Sequence, residues 1–160
     1  MTVALGITAP AWAGVKAKRT SAVEHVGSGT WGAQGTTLSW GLLGLLSTTY
    51  KYFTVPNTGT LDLVSATYTT TGNGLSAATV TLTACVGATW STGGSGSCSG
   101  TTVPLGTAGG GATTAPTPIP AGSSLSVQAK AVVTLSLSLS TTTTVTVARS
   151  NVRAARTTNS

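Results

Sequence analysis

The feature that most constrains the fold of this chain is an alternation of apolar and polar residues between positions 123 and 147. The apolar members occupy odd positions and are Leu125, Val127, Ala129, Ala131, Val133, Leu135, Leu137 and Leu139. A period of two is typical of a β-strand with one buried face. A single strand of this length would span about 50 Å. We therefore expect a break near Val132–Thr134, a turn at Thr141–Thr144, and a last strand that ends with Val145 and Val147.

Shorter apolar runs separated by Gly, Pro and Asn indicate further strands. They cover Leu38–Leu46, Tyr50–Val55, Leu61–Thr71 and Thr79–Val86, with at most one more near Val103–Leu105 in the Gly/Ser/Thr/Pro-rich segment 87–122. The run Leu38–Leu46 fits a buried strand or a short helix, and its two glycines favour the strand. Seven to eight strands with this punctuation predict an all-β fold, an antiparallel two-sheet sandwich of Ig-like or jelly-roll-like type with Thr and Ser on its outer faces.

The scarcity of titratable groups argues against an enzyme. Charged residues make up 6% of the chain, against roughly 25% in an average soluble domain. The acidic residues are Glu24 and Asp62, and the only histidine is His25. General acid–base catalysis, glycoside hydrolysis and metal-ion catalysis all need clusters of such side chains. We therefore expect no catalytic residue, no metal site and no cofactor.

The basic residues lie mainly near the two termini. They are Lys16, Lys18 and Arg19 at one end of the chain and Arg149, Arg153 and Arg156 at the other. In the body, Lys51 and Lys130 balance the two acidic residues. A nucleic-acid partner is not expected, because such proteins carry a basic face with aromatic residues among the charges. The basic ends are either solvated tails or a means of attraction to an anionic cell wall or matrix polymer.

The N-terminus and the cysteines indicate export. A short apolar run ends in Ala11-Trp12-Ala13, which has the form of a signal-peptidase site, so we expect a signal-peptide remnant over 1–13 and a mature chain beginning near Gly14. The alternative is a first strand of the mature fold. No apolar stretch approaches the ~20 residues of a membrane span. Cys85 and Cys98 flank a Gly-rich loop, and a disulfide between them fits a secreted protein.

These boundaries divide the chain into the remnant, an N-terminal arm at 14–35, a sandwich domain at 36–148 and a basic polar tail at 149–160. Candidate assembly contacts on the arm are Val15, Val23 and Val26. Candidate stacking residues for a ligand such as a sugar are Trp31 and Trp90, with Trp40, Tyr50 and Tyr52 as further members of such a platform. The simpler interpretation places Trp40 and Phe53 in the core and Trp90 over the disulfide loop.

One strand–turn–strand unit is similar to a known family. The residues Tyr52-Phe-Thr-Val-Pro-Asn-Thr-Gly-Thr-Leu-Asp-Leu63, followed by Val64-Ser-Ala-Thr-Tyr68, resemble a phrase of extracellular Ig-like bacterial domains and of the camelysin/TasA-like secreted matrix-fibre subunits. The Ala/Thr/Gly bias and the segment 148–160 resemble exported proteins of high-GC Gram-positive bacteria. The resemblance implies a subunit that polymerises outside the cell by exchanging a terminal strand.

The first functional hypothesis is therefore an extracellular structural subunit of a filament or matrix fibre, with itself as partner. This hypothesis is supported by an edge argument. The segments Leu135–Leu139 and Val145–Val147 carry no charge, so either of them, if outermost in its sheet, would be poorly protected against pairing with another chain. The second hypothesis is a secreted carbohydrate- or cell-wall-binding module. The third is a phage capsid-decoration or tail protein.

Overall fold

The computed structural model describes residues 29–153, which form ten β-strands and one turn of 3₁₀ helix at Arg149–Asn151. The strands are β1 Thr36–Leu43, β2 Thr48–Pro56, β3 Asp62–Leu63, β4 Ala66–Asn73, β5 Ala78–Val86, β6 Thr101–Thr107, β7 Ala112–Ala115, β8 Ser124–Val133, β9 Leu137–Thr146 and β10 Val152–Arg153. Thr and Val dominate these segments, and both favour a pleated, half-buried backbone. The expected signal-peptide remnant and residues 14–28 of the N-terminal arm lie outside the described residues.

Eight of the strands form two four-stranded antiparallel sheets. Sheet 1 has the order β1-β9-β4-β7 and sheet 2 the order β2-β8-β5-β6, while β3 and β10 form a separate pair. The predicted all-β two-sheet sandwich is confirmed. The strand total exceeds the expected seven to eight because the 61–71 run divides into β3 and β4 and the 87–122 segment contains both β6 and β7.

The alternating segment forms the two central strands. Residues 134–136 separate β8 from β9, close to the predicted break. The predicted turn at Thr141–Thr144 is wrong, because these residues pair with β1 on one side and β4 on the other. The edge argument is wrong for the same reason: β8 and β9 each have a hydrogen-bonded neighbour on both sides.

The core lies between the two sheets and includes polar as well as apolar side chains. Its largest fully buried residues include Tyr68, Leu63 and Ile119, and Trp40 is also buried. Odd-numbered positions of both central strands face inward, so the parity of the sequence alternation continues from β8 into β9. There it places Thr141 and Thr143 inside rather than on the surface.

The sandwich has two different ends. At one end lie the turns β1–β2, β4–β5 and β8–β9, which hydrogen bonds link through the Val133 and Thr134 amides to the carbonyls of Ser47 and Ala77. We call this the leucine end, after the side chains described below. At the other end, residues 30–34 bond to the 56–60 turn and β10 pairs with β3. We call this the terminal end, since the described chain both begins and finishes there.

Candidate functional site

The disulfide loop is fixed on the outer face of sheet 2. Cys85 lies on the side of β5 that faces away from the core, opposite Ser126 of β8, and is bonded to Cys98 with the Cα atoms 5.6 Å apart. Val80, Leu82 and Ala84 point to the core instead. The predicted disulfide is confirmed. It ties the 87–98 loop to a strand that is already held on both sides.

Side chains of sheet 2 also bind this loop. The Gln128 amide donates to the Ser95 carbonyl (2.6 Å) and to the Tyr52 hydroxyl (3.2 Å), and Tyr52 donates to the Gly94 carbonyl (3.2 Å). The loop covers part of the sheet, which is why Gln128 is buried on a face that would otherwise be open to solvent. The 87–98 loop therefore packs against the outer face of sheet 2.

Trp90 is part of this loop and also bonds to sheet 2. Its indole N–H donates to the Thr83 carbonyl (3.2 Å), its backbone N–H to the Ser126 hydroxyl (3.1 Å), and its ring lies 6.4 Å from that of Tyr52. Trp31 lies elsewhere, 42% exposed and beside Gly59 in the 57–60 turn. The structure thus does not bring the two candidate stacking residues together at one surface.

The other aromatic residues named above are buried or half-buried within the two sheets. Trp40 is buried and donates its indole N–H to the Thr141 hydroxyl (3.3 Å). Lys51 points inward from β2 and places its ammonium 5.9 Å from the Trp40 ring centroid, within cation–π distance. Phe53 is half-buried and packs against the core, and Tyr50 is half-buried opposite Lys130.

Most of the exposed aliphatic surface is concentrated at the leucine end. Among residues 29–153, six large apolar side chains are exposed, and all but Trp31 lie here: Leu42 (79%), Leu45 (61%), Leu46 (79%), Val132 (40%) and Leu135 (61%). Leu42 lies on the outer face of sheet 1 and Val132 on the outer face of sheet 2, while Leu45, Leu46 and Leu135 lie in the turns that connect the two sheets. Singly exposed apolar residues are ordinary, whereas several of them at one end of a domain can mark an interaction surface. We call these five residues the leucine patch.

The leucine patch was missed in the sequence, where Leu38–Leu46 was interpreted as one buried strand. The strand ends at Leu43, and Gly44–Ser47 forms a turn closed by a hydrogen bond from the Ser47 hydroxyl to the Gly44 carbonyl (2.7 Å). The signal was present: the pair of leucines on each side of Gly44 breaks the period of two. A glycine inside an apolar run is a turn signal.

Leu46 also has a strained backbone. Its φ of 51° is the only positive value at a non-glycine residue in the described part of the chain. The left-handed region costs an L-residue roughly 1–2 kcal/mol. Leu46 adopts it within a turn held by the Ser47–Gly44 hydrogen bond and by the Val133 amide donating to the Ser47 carbonyl (2.9 Å), and its side chain remains exposed.

The four edge strands are protected unequally. In sheet 2, β6 contains Pro104 and a register shift; in sheet 1, β7 has four residues and precedes Pro116, and β1 has a register shift at Trp40. Proline, short length and bulges all hinder pairing with another chain. β2 pairs with β8 without a register shift; it carries inward-pointing Lys51 and ends at Pro56, whose carbonyl accepts a hydrogen bond from the Gln34 amide (3.2 Å). It is the most open edge of the sandwich.

The chemistry available in the described residues is limited. No group of three or more His, Cys, Asp or Glu side chains that could hold a metal occurs within 29–153.

Asp62 accepts a hydrogen bond from the Ala121 amide (2.9 Å). Burial raises the pKa of Tyr68, and its hydrogen bond with Thr117 (2.7 Å) partly opposes that rise. Val15, Val23, Val26, Glu24 and His25 lie outside the described residues.

Over the same part of the chain, no helix is long and apolar enough to cross a membrane. The disulfide is compatible with an exported protein. Searches against protein-family models, curated proteins and solved structures found no match to this chain.

Proposed function

We propose that this chain is an extracellular structural subunit that assembles end to end into a surface filament or matrix fibre. The observation that carries the proposal is the difference between the two ends of the sandwich. One end presents the leucine patch, and the other holds the point where the N-terminal arm joins the fold. A contact between unlike surfaces does not close on itself unless the rotation closes a ring, and it therefore generates chains.

The open edge strand supports the strand-exchange part of the proposal. β2 offers a regular backbone that begins at the leucine end with Thr48 and stays open until Pro56. An extended segment of another copy could add to this edge by β-augmentation, with main-chain hydrogen bonds supplying affinity. The outer faces of sheet 1 carry Thr and Ser without charge, so neighbouring copies meet no like-charge repulsion there.

Export is part of the same proposal. A disulfide that closes a Gly-rich loop persists in oxidising compartments. The described chain begins and finishes at the terminal end, and we propose that the basic residues of the two termini attract an anionic wall or matrix polymer.

Electron microscopy and sedimentation velocity of the purified oxidised protein test the proposal over a range of concentrations. We expect filaments whose length grows with concentration. The matched variant lacks residues 14–28 and keeps 29–35, because the latter bond to the 56–60 turn. It should fold with the same melting temperature and stay monomeric. A full-length protein that remains monomeric up to millimolar concentration would disprove the filament function.

A further inference from the structure

We propose that the leucine patch is the docking site for the N-terminal arm of a neighbouring copy, with Val23 and Val26 as the apolar residues that it receives. This inference rests on the proposed function and names the surface through which the copies meet. Three observations of the structure and the sequence support it.

The first is that the patch is exposed at an energetic cost. Leu42, Leu45 and Leu46 keep most of their area in water, and Leu46 does so from a left-handed backbone. A Gly or Asn would adopt that conformation more easily. Retained strain at an exposed residue is a reason to look for a function at that position. A contact that buries the Leu46 side chain would remove its exposed apolar area from water.

The second is the chain outside the structure. Residues 1–28 precede the described part and 154–160 follow it. The latter segment reads Ala-Ala-Arg-Thr-Thr-Asn-Ser and offers little apolar area. The former includes Val15, Val23 and Val26, all on the C-terminal side of the predicted signal cleavage, so it is the segment of this chain with side chains suited to an aliphatic surface.

The third is the distance that the arm can span, which decides whether it contacts its own copy or a neighbouring copy. The arm joins the fold at Gly29, beside Leu61 at the terminal end. The eight residues of β1 alone span about 26 Å towards the leucine end. Fully extended, the chain takes Val26 at most ~11 Å and Val23 at most ~22 Å from Gly29. Neither can lie on the leucine patch of its own copy, but both can reach that of a copy stacked end to end.

The patch offers no charged partner to the arm. The turns at 44–47 and 134–136 hold no charged residue, so Glu24 and His25, which lie between Val23 and Val26, must stay in solvent at the contact. The neighbouring Val132 and Leu135 extend the apolar surface beside the start of β2. Arm residues before Val23 would then meet the open β2 edge, which links this contact to the strand addition proposed above.

Cysteine cross-linking tests the contact, because both native cysteines are in the disulfide. Full-length Val26→Cys and Leu46→Cys variants are mixed and treated with a short bismaleimide. The matched control mixes Val26→Cys with Thr81→Cys, an exposed position on the outer face of sheet 2. We expect at least tenfold more heterodimeric product in the first mixture than in the control.

A second variant measures the role of the leucines without a cross-link. Leu45→Ser combined with Leu46→Ser changes only exposed side chains, so folding should be retained. It should raise the concentration needed for assembly at least tenfold. The control, Thr81→Ser with Thr144→Ser, changes two exposed side chains that pair with no residue of the patch, and it should leave that concentration unchanged.

The outcomes separate this inference from the proposed function. Filaments without the Val26–Leu46 product would overturn the docking site and leave the filament function standing. Products joining Leu46→Cys to Leu46→Cys would show that like ends meet, which also overturns it. Loss of binding to phosphatidylcholine vesicles in the double serine variant, with no cross-link, would make a lipid surface the occupant. The cross-link in closed dimers that never elongate would support the contact and disprove the filament.

Discussion

At the scale of single residues, the least expected feature is a set of threonines inside the core. Thr70 and Thr143 are buried opposite each other on β4 and β9, and their hydroxyls share a hydrogen bond of 3.0 Å. No buried side-chain polar atom in residues 29–153 lacks a partner. The core tolerates hydroxyls because neighbouring strands bring them together in pairs.

A double-mutant cycle tests this pairing. Thr143→Val or Thr70→Val alone should lower the free energy of unfolding by about 1–3 kcal/mol, since each leaves one buried hydroxyl without a partner. Replacing both by Val should recover most of that loss. Urea unfolding of the four proteins measures the coupling, and additive single effects would contradict the mutual bond.

The backbone of Leu46 gives a second prediction at this scale. Leu46→Asn should raise the free energy of unfolding of the monomer by about 0.5–1 kcal/mol, because Asn tolerates the left-handed region. Leu45→Asn, in the same turn but without a positive φ, is the control and should show no gain. Thermal unfolding at low protein concentration compares the two.

At the scale of elements, the disulfide loop is held by both a covalent bond and side-chain hydrogen bonds. The bond spans a sequence separation of 13. Closing a loop of this size stabilises the fold by roughly 3 kcal/mol in the chain-entropy model. The hydrogen bonds from Gln128 and Tyr52 act in addition, because they order the loop in the folded state.

The Cys85→Ala and Cys98→Ala double variant should therefore lose about 2–4 kcal/mol of stability and still fold, since β5 keeps its pairing with β6 and β8. Guanidinium unfolding with and without reductant measures the loss in the native protein. Thiol labelling of the oxidised native protein should give almost no signal, and stoichiometric labelling would contradict the bond.

At the scale of the whole molecule, the scarcity of charge determines the response to pH. The chain has two carboxylate side chains and one histidine, and acid denaturation acts mainly through such groups, so the melting temperature should vary little between about pH 3 and 9. Above that range, Tyr68 contributes to the pH dependence of stability. Its pKa is raised by burial from 10.0, so the folded protein holds the phenol proton more tightly than the unfolded chain does.

Stability from Tyr68 is fully present below pH 10 and is lost as the pH rises through the raised pKa. Melting temperatures should therefore stay level to about pH 9 and fall above pH 10. Tyr68→Phe should reduce the alkaline fall, while Tyr50→Phe, at a half-buried position outside the core, should not. A steep fall on acidification would instead indicate a buried functional charge.

The sequence by itself determined the fold class, the alternation of the 123–147 segment and the disulfide. These follow from local chemistry: a period of two specifies which face is buried, and the two cysteines of a chain expected to be exported have each other as partners.

Only the tertiary structure decided which strands are central, which threonines are buried and where the apolar surface is exposed. Alternation says that a strand has two faces but not how many neighbours it has, so β8 and β9 could not be placed inside their sheets from sequence. The sequence does not show whether a given Leu lies in a core strand or in a turn. The leucine patch exists because the chain reverses at Gly44–Ser47 beside the β8–β9 turn, and that proximity joins residues nearly ninety positions apart.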